Sequence, residues 1–218
     1  GFNAATINVG GGPLTSAGYM DILLAKFDPS GGHLFSKRLG AGSFDYLMSL
    51  ALDPGGDVLI GGQLSGTVDL GGGPMNPGAA TTDWGYVARY TSSGGFVWAQ
   101  GYYTGGPRVT NLALDASGNA YAVGPYFDLM QTKTASLTNP GKTYRGLQLQ
   151  LDRTGKETWA KTLVGSTGTD APVAVTVDAK GVYVGGYYDG TITGPLGPLT
   201  SMMQDGYLVA YSAAGNQR

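Results

Sequence analysis

The sequence predicts an all-β chain, a β-propeller of four-stranded antiparallel blades with about three and a half blades present. Three observations predict it. One phrase recurs at a spacing of about 62 residues: LALDPGGDVLIGG from Leu50, LALDASGNAYAVG from Leu112 and VTVDAKGVYVGG from Val175. Gly (39) and Tyr (14) are abundant while charged residues make up only 13%, against roughly a quarter in an average soluble domain, so the chain turns often and packs aromatics. Glu157 is the only glutamate among 15 acidic residues, and no apolar pattern of period 3.6 gives a long helix anything to build on.

Each repeat reads as four strands. The first, in YLMSLALD, RVTNLALD and PVAVTVD, alternates or runs fully apolar, as buried inner strands do. A tight turn follows (PGGD, ASGN, AKG), where Gly supplies the positive φ of a hairpin. The second strand lies in VLIGGQL, AYAVGPY and VYVGGYY, with Gly61, Gly62, Gly124, Gly185 and Gly186 marking a bulge or a close backbone approach. After a long connection, ILLAKF, YVARY, LQLQL and YLVAY form the third strand. A second turn (FDPSGG from Phe27, YTSSGG from Tyr90, LDRTGK from Leu151, YSAAGN from Tyr211) leads to the fourth, where Phe35, Trp98 and Trp159 occupy one position and are expected to wedge against the neighbouring blade.

A further echo, TINVGGGPLTS from Thr6, TVDLGGGPM from Thr67 and TITGPLGPLTS from Thr191, puts the start of the chain part way through a repeat. The blades then divide as a partial blade over 1–43, whole blades over 44–104 and 105–167, and a partial blade over 168–218. Propellers close with four or more blades. The chain is therefore expected to be a segment of a longer protein's ring, to pair with a second copy, or to close as a tight four-bladed ring; open strand edges otherwise invite aggregation.

DILLAKFDPSGGHLFSKRLG followed by LALDPGGDVLIGG resembles the bacterial β-propeller repeat known as the SBBP repeat, over nearly the whole chain. The resemblance implies a secreted or cell-surface protein, since such repeats occur in exported proteins of myxobacteria and related bacteria. LDRTGKETW is similar to the tryptophan-docking motif of quinoprotein propellers, in which an outer-strand Trp packs between blades; Phe35 and YTSSGG depart from that pattern.

Charge and composition remove several partners. Net charge is −2, and seven Lys and six Arg are scattered, so no basic footprint for nucleic acid or an anionic membrane exists. No run approaches the roughly 20 apolar residues of a membrane span. GFNAATINVGGG has neither the basic nor the apolar region of a signal peptide, and without an initial Met the start looks like a cut within a longer protein. With no Cys there is no disulfide and no thiolate.

Binding is expected on the face that varies between repeats. It carries the long connections 65–83, 128–142 and 189–204, with Asp45, Arg108 and Asp170 beside them. Tyr126 and Phe127, Tyr187 and Tyr188, Tyr102 and Tyr103, and Trp84 offer flat apolar plates suited to a pyranose or a protein hot spot, although alternate members of each pair must point inward on a strand. A glycosidase needs two acids at a defined separation, about 5 Å in the retaining case; Asp45, Asp170 and Asp189 lie on this face, but the sequence brings no two of them together. Asp28, Asp53, Asp115, Asp152 and Asp178 precede Gly in tight turns, where the side chain caps its own backbone.

Calcium lacks a DxDxDG loop, and one Asp per turn supplies too few oxygens. His33, the only histidine, sits at a hairpin turn with solvent contact alone, which excludes a Ser-His-Asp triad or a His-ligated zinc centre. GAGSFD and the GGG runs at Gly10 and Gly71 are followed by no helix and are not phosphate loops. The expectation is a non-catalytic exported scaffold for adhesion or protein interaction, without metal or cofactor. A lectin-like carbohydrate binder is the alternative, and a quinoprotein-type or glycosidase enzyme the third reading.

Overall fold

Side chains alternating with period two decide which residues meet in the computed structural model, which describes residues 1–3, 5–78, 83–139, 143–162, 168–194 and 197–218. Every named element is a β-strand. The first unit holds the hairpin β1 (Thr6–Asn8) and β2 (Pro13–Thr15) and the pair β3 (Ile22–Phe27) and β4 (His33–Leu39). The second has β5 (Tyr46–Leu52), β6 (Val58–Ser65), the inserted hairpin β7 (Val68–Asp69) and β8 (Pro74–Met75), then β9 (Asp83–Tyr90) and β10 (Phe96–Tyr102). The third repeats the plan with β11 (Asn111–Leu114), β12 (Ala120–Phe127), the hairpin β13 (Met130–Gln131) and β14 (Ser136–Leu137), β15 (Tyr144–Leu151) and β16 (Glu157–Thr162). The last has β17 (Asp170–Val177), β18 (Val182–Gly194) and β19 (Gly197–Tyr211).

The sheets are antiparallel ladders in chain order: β5-β6-β9-β10, β11-β12-β15-β16 and β17-β18-β19, with β3-β4 as a pair. Phe2 bridges Asp21 beside that pair, in the place a second strand takes in the other units. The connection between second and third strands carries a hairpin in all four units. In the first unit this is β1–β2, in the last it is the continuous outer ladder from Gly190↔Ser201 to Gly194↔Gly197. Thr6 and Thr15 pair hydroxyl to hydroxyl at 2.8 Å, and Thr191 and Thr200 do so at 2.9 Å. Residues 79–82, 140–142 and 195–196 of the three long connections lie outside the described residues.

Glycine is required where inner strands crowd. A Cβ on Gly62, Gly124 or Gly186 would collide with the carbonyl oxygen of Tyr46, Arg108 or Ala171 respectively. The ladder slips by one residue at Met48, between Leu47 and Ser49, and at Val173, between Pro172 and Ala174, opposite two of these glycines. This is the bulge and close approach that the GG pairs predict.

The cores lie between sheets, not within them. Val58 and Ile60 of β6 face the first unit and pack with Ile22, Leu24, Trp84 and Tyr90, while Leu59 faces the third unit and packs with Leu112, Leu147 and Trp98. On β12, Ala120 and Ala122 face the second unit; Tyr121 and Val123 face the last, among Val175, Val184 and Tyr211. Inner strands are also tied directly: Leu112 N–H donates to Ser49 Oγ at 3.0 Å, and Val175 N–H to Asn111 Oδ1 at 3.1 Å.

A repeated lock closes each of the three seams. Phe35, Trp98 and Trp159 lie over Gly94, Gly155 and Gly215 of the next unit, where an added Cβ would come 2.9, 2.5 and 3.0 Å from the ring. The Trp98 indole N–H donates to Arg153 O at 3.0 Å and that of Trp159 to Ala213 O at 3.2 Å. Phe35 has no N–H to give. The corresponding carbonyl, Ser92 O, instead accepts from Lys26 Nζ at 2.8 Å, and Lys26 is the cross-strand neighbour of Phe35.

Burial of so many tyrosines sets a limit in alkali. Burial lifts the hydroxyl pKa of Tyr86, Tyr90, Tyr102 and Tyr207 well above the ordinary value, and those of Tyr121 and Tyr211 to about 12. A group whose pKa is raised on folding stabilises the fold below its unfolded pKa, about 10 for Tyr, and loses that contribution as pH rises through the folded value. Tyrosinate absorbance from this set and loss of the β-sheet circular dichroism signal are therefore expected to rise together near pH 12. Full ionisation well below that pH with the sheet signal intact would contradict the packing.

Candidate functional site

The five turn aspartates are explained by their own backbones. Asp28 Oδ1 accepts from Ser30 N–H and Gly32 N–H at 2.8 Å each, Asp115 Oδ1 from Ser117 and Asn119 at 2.9 Å each, and Asp152 Oδ1 from Thr154 at 2.8 Å and Lys156 at 3.1 Å. Asp178 Oδ1 accepts from Lys180 at 2.7 Å and Gly181 at 3.0 Å. These hydrogen bonds hold the carboxyls of Asp28 and Asp152 below the usual range, the Ser30 and Thr154 hydroxyls contributing most. Where the Asp is missing, Thr91 Oγ1 and Ser212 Oγ take over, accepting from Gly95 at 2.8 Å and Asn216 at 3.1 Å. Asp53 accepts from Asp57 N–H at 3.0 Å and also pairs with the buried Arg89.

The hairpin tips account for the GGG runs, for His33 and for the lone glutamate. Asn8 Oδ1 accepts from Gly10 and Gly12, and Asp69 Oδ1 from Gly71 and Gly73, at 2.7 to 3.2 Å, with all four glycines at positive φ. Each tip lies on the side chain that opens the outer strand, Gly10–Gly11 on His33 and Gly71–Gly72 on Phe96. His33 is thus more than a solvent-facing turn residue: its Nε2 lies 3.0 Å from Ser36 Oγ and its ring meets Phe27 edge-on. In the third unit the same position is Glu157, buried, whose Oε1 accepts from Thr132 Oγ1 at 2.7 Å and Thr134 N–H at 2.8 Å. The GGG tips suit a ring beneath them; the Thr-Lys-Thr tip suits a carboxylate.

Several residues expected at a binding face are enclosed instead. Trp84 and Tyr126 have no exposed surface: Trp84 donates its indole N–H to Gly66 O at 2.8 Å, and Tyr126 belongs to the core between the second and third units. Neither can offer a plate to a ligand. Tyr188 is buried against Tyr207, Tyr102 is buried, and Tyr187 is half-buried on β18. Tyr103 packs on Trp84 at 5.1 Å and borders a cleft of about 230 Å³ with Thr104 and Gln131.

Asp45 and Asp170 are also fully buried. Asp45 accepts from Ala41 N–H at 2.7 Å and Ser65 N–H at 3.2 Å; Asp170 accepts from Gly146 N–H at 2.6 Å and pairs with Arg145 at 3.3 Å. Asp189 accepts from Thr169 N–H at 2.7 Å. The chain does bring two acids together, though not two of these three. Asp21 and Asp45 flank Gly40, whose hypothetical Cβ would touch Asp21 Oδ1 and lie 2.7 Å from Asp45 Oδ2. Burial raises the Asp45 pKa, with the Asp21 charge adding to it, while Arg38 pairs with Asp21 at 3.4 Å. With both acids at zero exposure, this cluster knits the first seam. No group of three or more His, Cys, Asp or Glu able to hold a metal occurs among the described residues.

Phe127 and Arg108 are the two expected residues that do meet at an opening. A cleft of about 400 Å³ at the seam of the second and third units is lined by Gln63, Asp83, Arg108, Phe127, Asp128 and Tyr144, with Leu129 and Gly105–Gly106. Its builders are strand ends. Gln63 lies near the end of β6 and Asp83 opens β9, where Ser65 Oγ donates to it; Phe127 ends β12 directly across the ladder from Tyr144, which opens β15. The two rings stand edge to face at 5.7 Å and are 42% and 44% exposed. Gly105, at φ +76, lets the preceding loop close on this segment, and its carbonyl accepts from Phe127 N–H at 2.7 Å. Asp128 has φ +64, the one positive φ outside glycine among the described residues; Gly66 (φ +73) and Gly190 (φ +76) stand at the same place in the second and last units, so the turn out of the second strand sets this conformation. Arg108 Nε is buried and has no hydrogen-bond partner among the described residues.

Asp83, Asp128, Tyr144 and Gln63 escape a reading of the sequence because they join this site from four different strand ends. The usable signal is the repeat itself: Tyr126 in and Phe127 out follows from strand alternation, and Tyr144 then follows from register. No protein-family model matches this chain, and no curated protein matches it.

Proposed function

We propose that the chain is a β-propeller segment of about three and a half blades that serves, without catalysis, as an interaction scaffold at a bacterial surface. Its partners are proteins or carbohydrates there. The observation that carries the reading is the lock of Phe35, Trp98 and Trp159, which sets sheet beside sheet in one direction three times. Inner strands β5, β11 and β17 lie next to one another in the same order, as blades around an axis do. Membership of the SBBP repeat group, export and adhesion belong to the same proposal and rest on the repeat phrases alone.

A rigid stack of this kind holds loops at its open end, and the cleft at Phe127 and Tyr144 sits among them. Of the acids weighed for hydrolysis, Asp45 and Asp170 are buried and Asp189 accepts from Thr169 N–H. The test is biolayer interferometry of the immobilised chain against bacterial envelope protein and extracellular polysaccharide, with turnover assays on aryl glycosides and primary alcohols in parallel. Saturable association with either fraction and no turnover is the expected result. Absence of association with both would remove the reading, and turnover abolished in Asp45→Asn or Asp170→Asn would replace it with a catalytic one.

A further inference from the structure

The cleft between the second and third units has the size of a small-molecule site, at the lower end of the range of about 300 to 1,000 Å³ typical of such sites. Two partly exposed aromatic rings on one wall are suited to the apolar face of a flat, saturated ring. The polar groups are planar and bidentate: two carboxylates (Asp83, Asp128), one amide (Gln63) and one guanidinium (Arg108). Such groups reach two adjacent hydroxyls at once, the carboxylates accepting and the amide and guanidinium donating. With two negative groups against one positive, the cleft disfavours phosphate, sulfate, uronate and nucleic acid.

From these features together we infer that the cleft lined by Phe127, Tyr144, Asp83, Asp128, Arg108 and Gln63 binds a neutral pyranose, as a single residue or the end of a glycan. The ring lies against the aromatic wall and its vicinal hydroxyls face the carboxylates. The inference rests on the interaction reading and narrows it to one chemistry and one place.

Saturation-transfer NMR and calorimetric titration with methyl α-mannopyranoside, methyl β-galactopyranoside, methyl β-N-acetylglucosaminide and methyl β-glucuronide test it. At least one of the neutral glycosides is expected to bind with Kd in the range of about 0.1 to 5 mM, and the glucuronide at least about tenfold more weakly, by the charge argument. Phe127→Ala and Tyr144→Ala are each expected to weaken binding about tenfold or more. Both side chains are partly exposed strand-end residues outside the buried cores, so the variants should keep the parent's circular dichroism and a melting temperature close to the parent's. Asp128→Asn, which tolerates positive φ but loses the charge, is expected to weaken the neutral sugar while leaving the fold unchanged. Failure of every neutral pyranoside to bind the folded chain would overturn the inference, and association with envelope protein in the same preparation would show that the interaction reading survives it. Binding that is indifferent to Phe127→Ala and Tyr144→Ala, or tighter for the glucuronide, would overturn it as well.

Discussion

Replacement of Trp98 by Ala is expected to cost about 3 to 5 kcal/mol, as for other large buried aromatics, which corresponds to a fall in Tm of roughly 6 to 20 °C for a chain of this size. The indole is 9% exposed and belongs to the core between the second and third units. It rests on Gly155, and its N–H satisfies the Arg153 carbonyl. Truncation therefore empties a seam and leaves an acceptor unpaired. Trp98→Phe keeps most of the apolar surface and loses the donor with a small part of the ring, so its cost should be about 1 to 2 kcal/mol, well below that of Trp98→Ala. The first seam is a natural control, because Phe35 stands there and Lys26 supplies the missing donor to Ser92 O. Trp159→Ala should cost less than Trp98→Ala, since Trp159 is only half-buried. Urea midpoints for the three variants test this order; equal losses at Trp98 and Trp159, or none, would contradict the lock.

Arg89→Ala is expected to cost a similar 3 to 5 kcal/mol, roughly the penalty for stranding one member of a buried ion pair. Arg89 is 1% exposed; it pairs with Asp53, reaches Asp57 at 3.1 Å, and donates from Nη1 to Gly118 O of the next unit at 3.2 Å. Removing it leaves the Asp53 carboxylate buried with the Asp57 N–H at 3.0 Å and, as its one remaining cation among the described residues, Arg153 at 3.6 Å. The third unit solves the same position without a cation. Gln150 Nε2 donates to the Tyr121 hydroxyl at 2.9 Å, which donates to Asp115 at 3.3 Å, and Tyr121 and Gln150 are paired across the ladder as Leu59 and Arg89 are. Leu59→Tyr combined with Arg89→Gln should therefore recover part of what Arg89→Gln alone loses. A loss for Arg89→Ala below about 1 kcal/mol, the range of surface pairs, would mean that Arg153 replaces it.

What could be read from the sequence is what one repeat decides locally. Gly62, Gly124 and Gly186 mark the crowded inner strands because no side chain fits beneath a carbonyl, and the turn aspartates are legible because they bond to residues two to four positions on. The outer-strand aromatics are legible because three copies agree. Burial of individual aromatics is harder. TTDWGYVARY looks equally able to present Trp84 or hide it, and only the packing of the first sheet on the second buries it. The cleft is least legible of all, because Phe127 and Tyr144 meet across a connection of sixteen residues, and Asp83 arrives from another unit. The pairing of Asp21 with Asp45 is hidden for the same reason: it forms at a seam, between a third strand and the approach to the next inner strand.

The placement of all three cores between sheets bears on how a gene for such a chain can change length. Each side chain in a core needs a neighbour about 62 positions away in the chain more than it needs its own sheet. A duplicated segment of one full period carries one strand of every kind and one aromatic with its glycine, wherever in the period the copy starts. Inserting or deleting that length adds or removes a seam as a whole and leaves the others intact, whereas half a period would set polar faces against apolar ones. Selection acting on such a chain would thus see its length change in whole steps, with the breakpoint free to wander along the repeat.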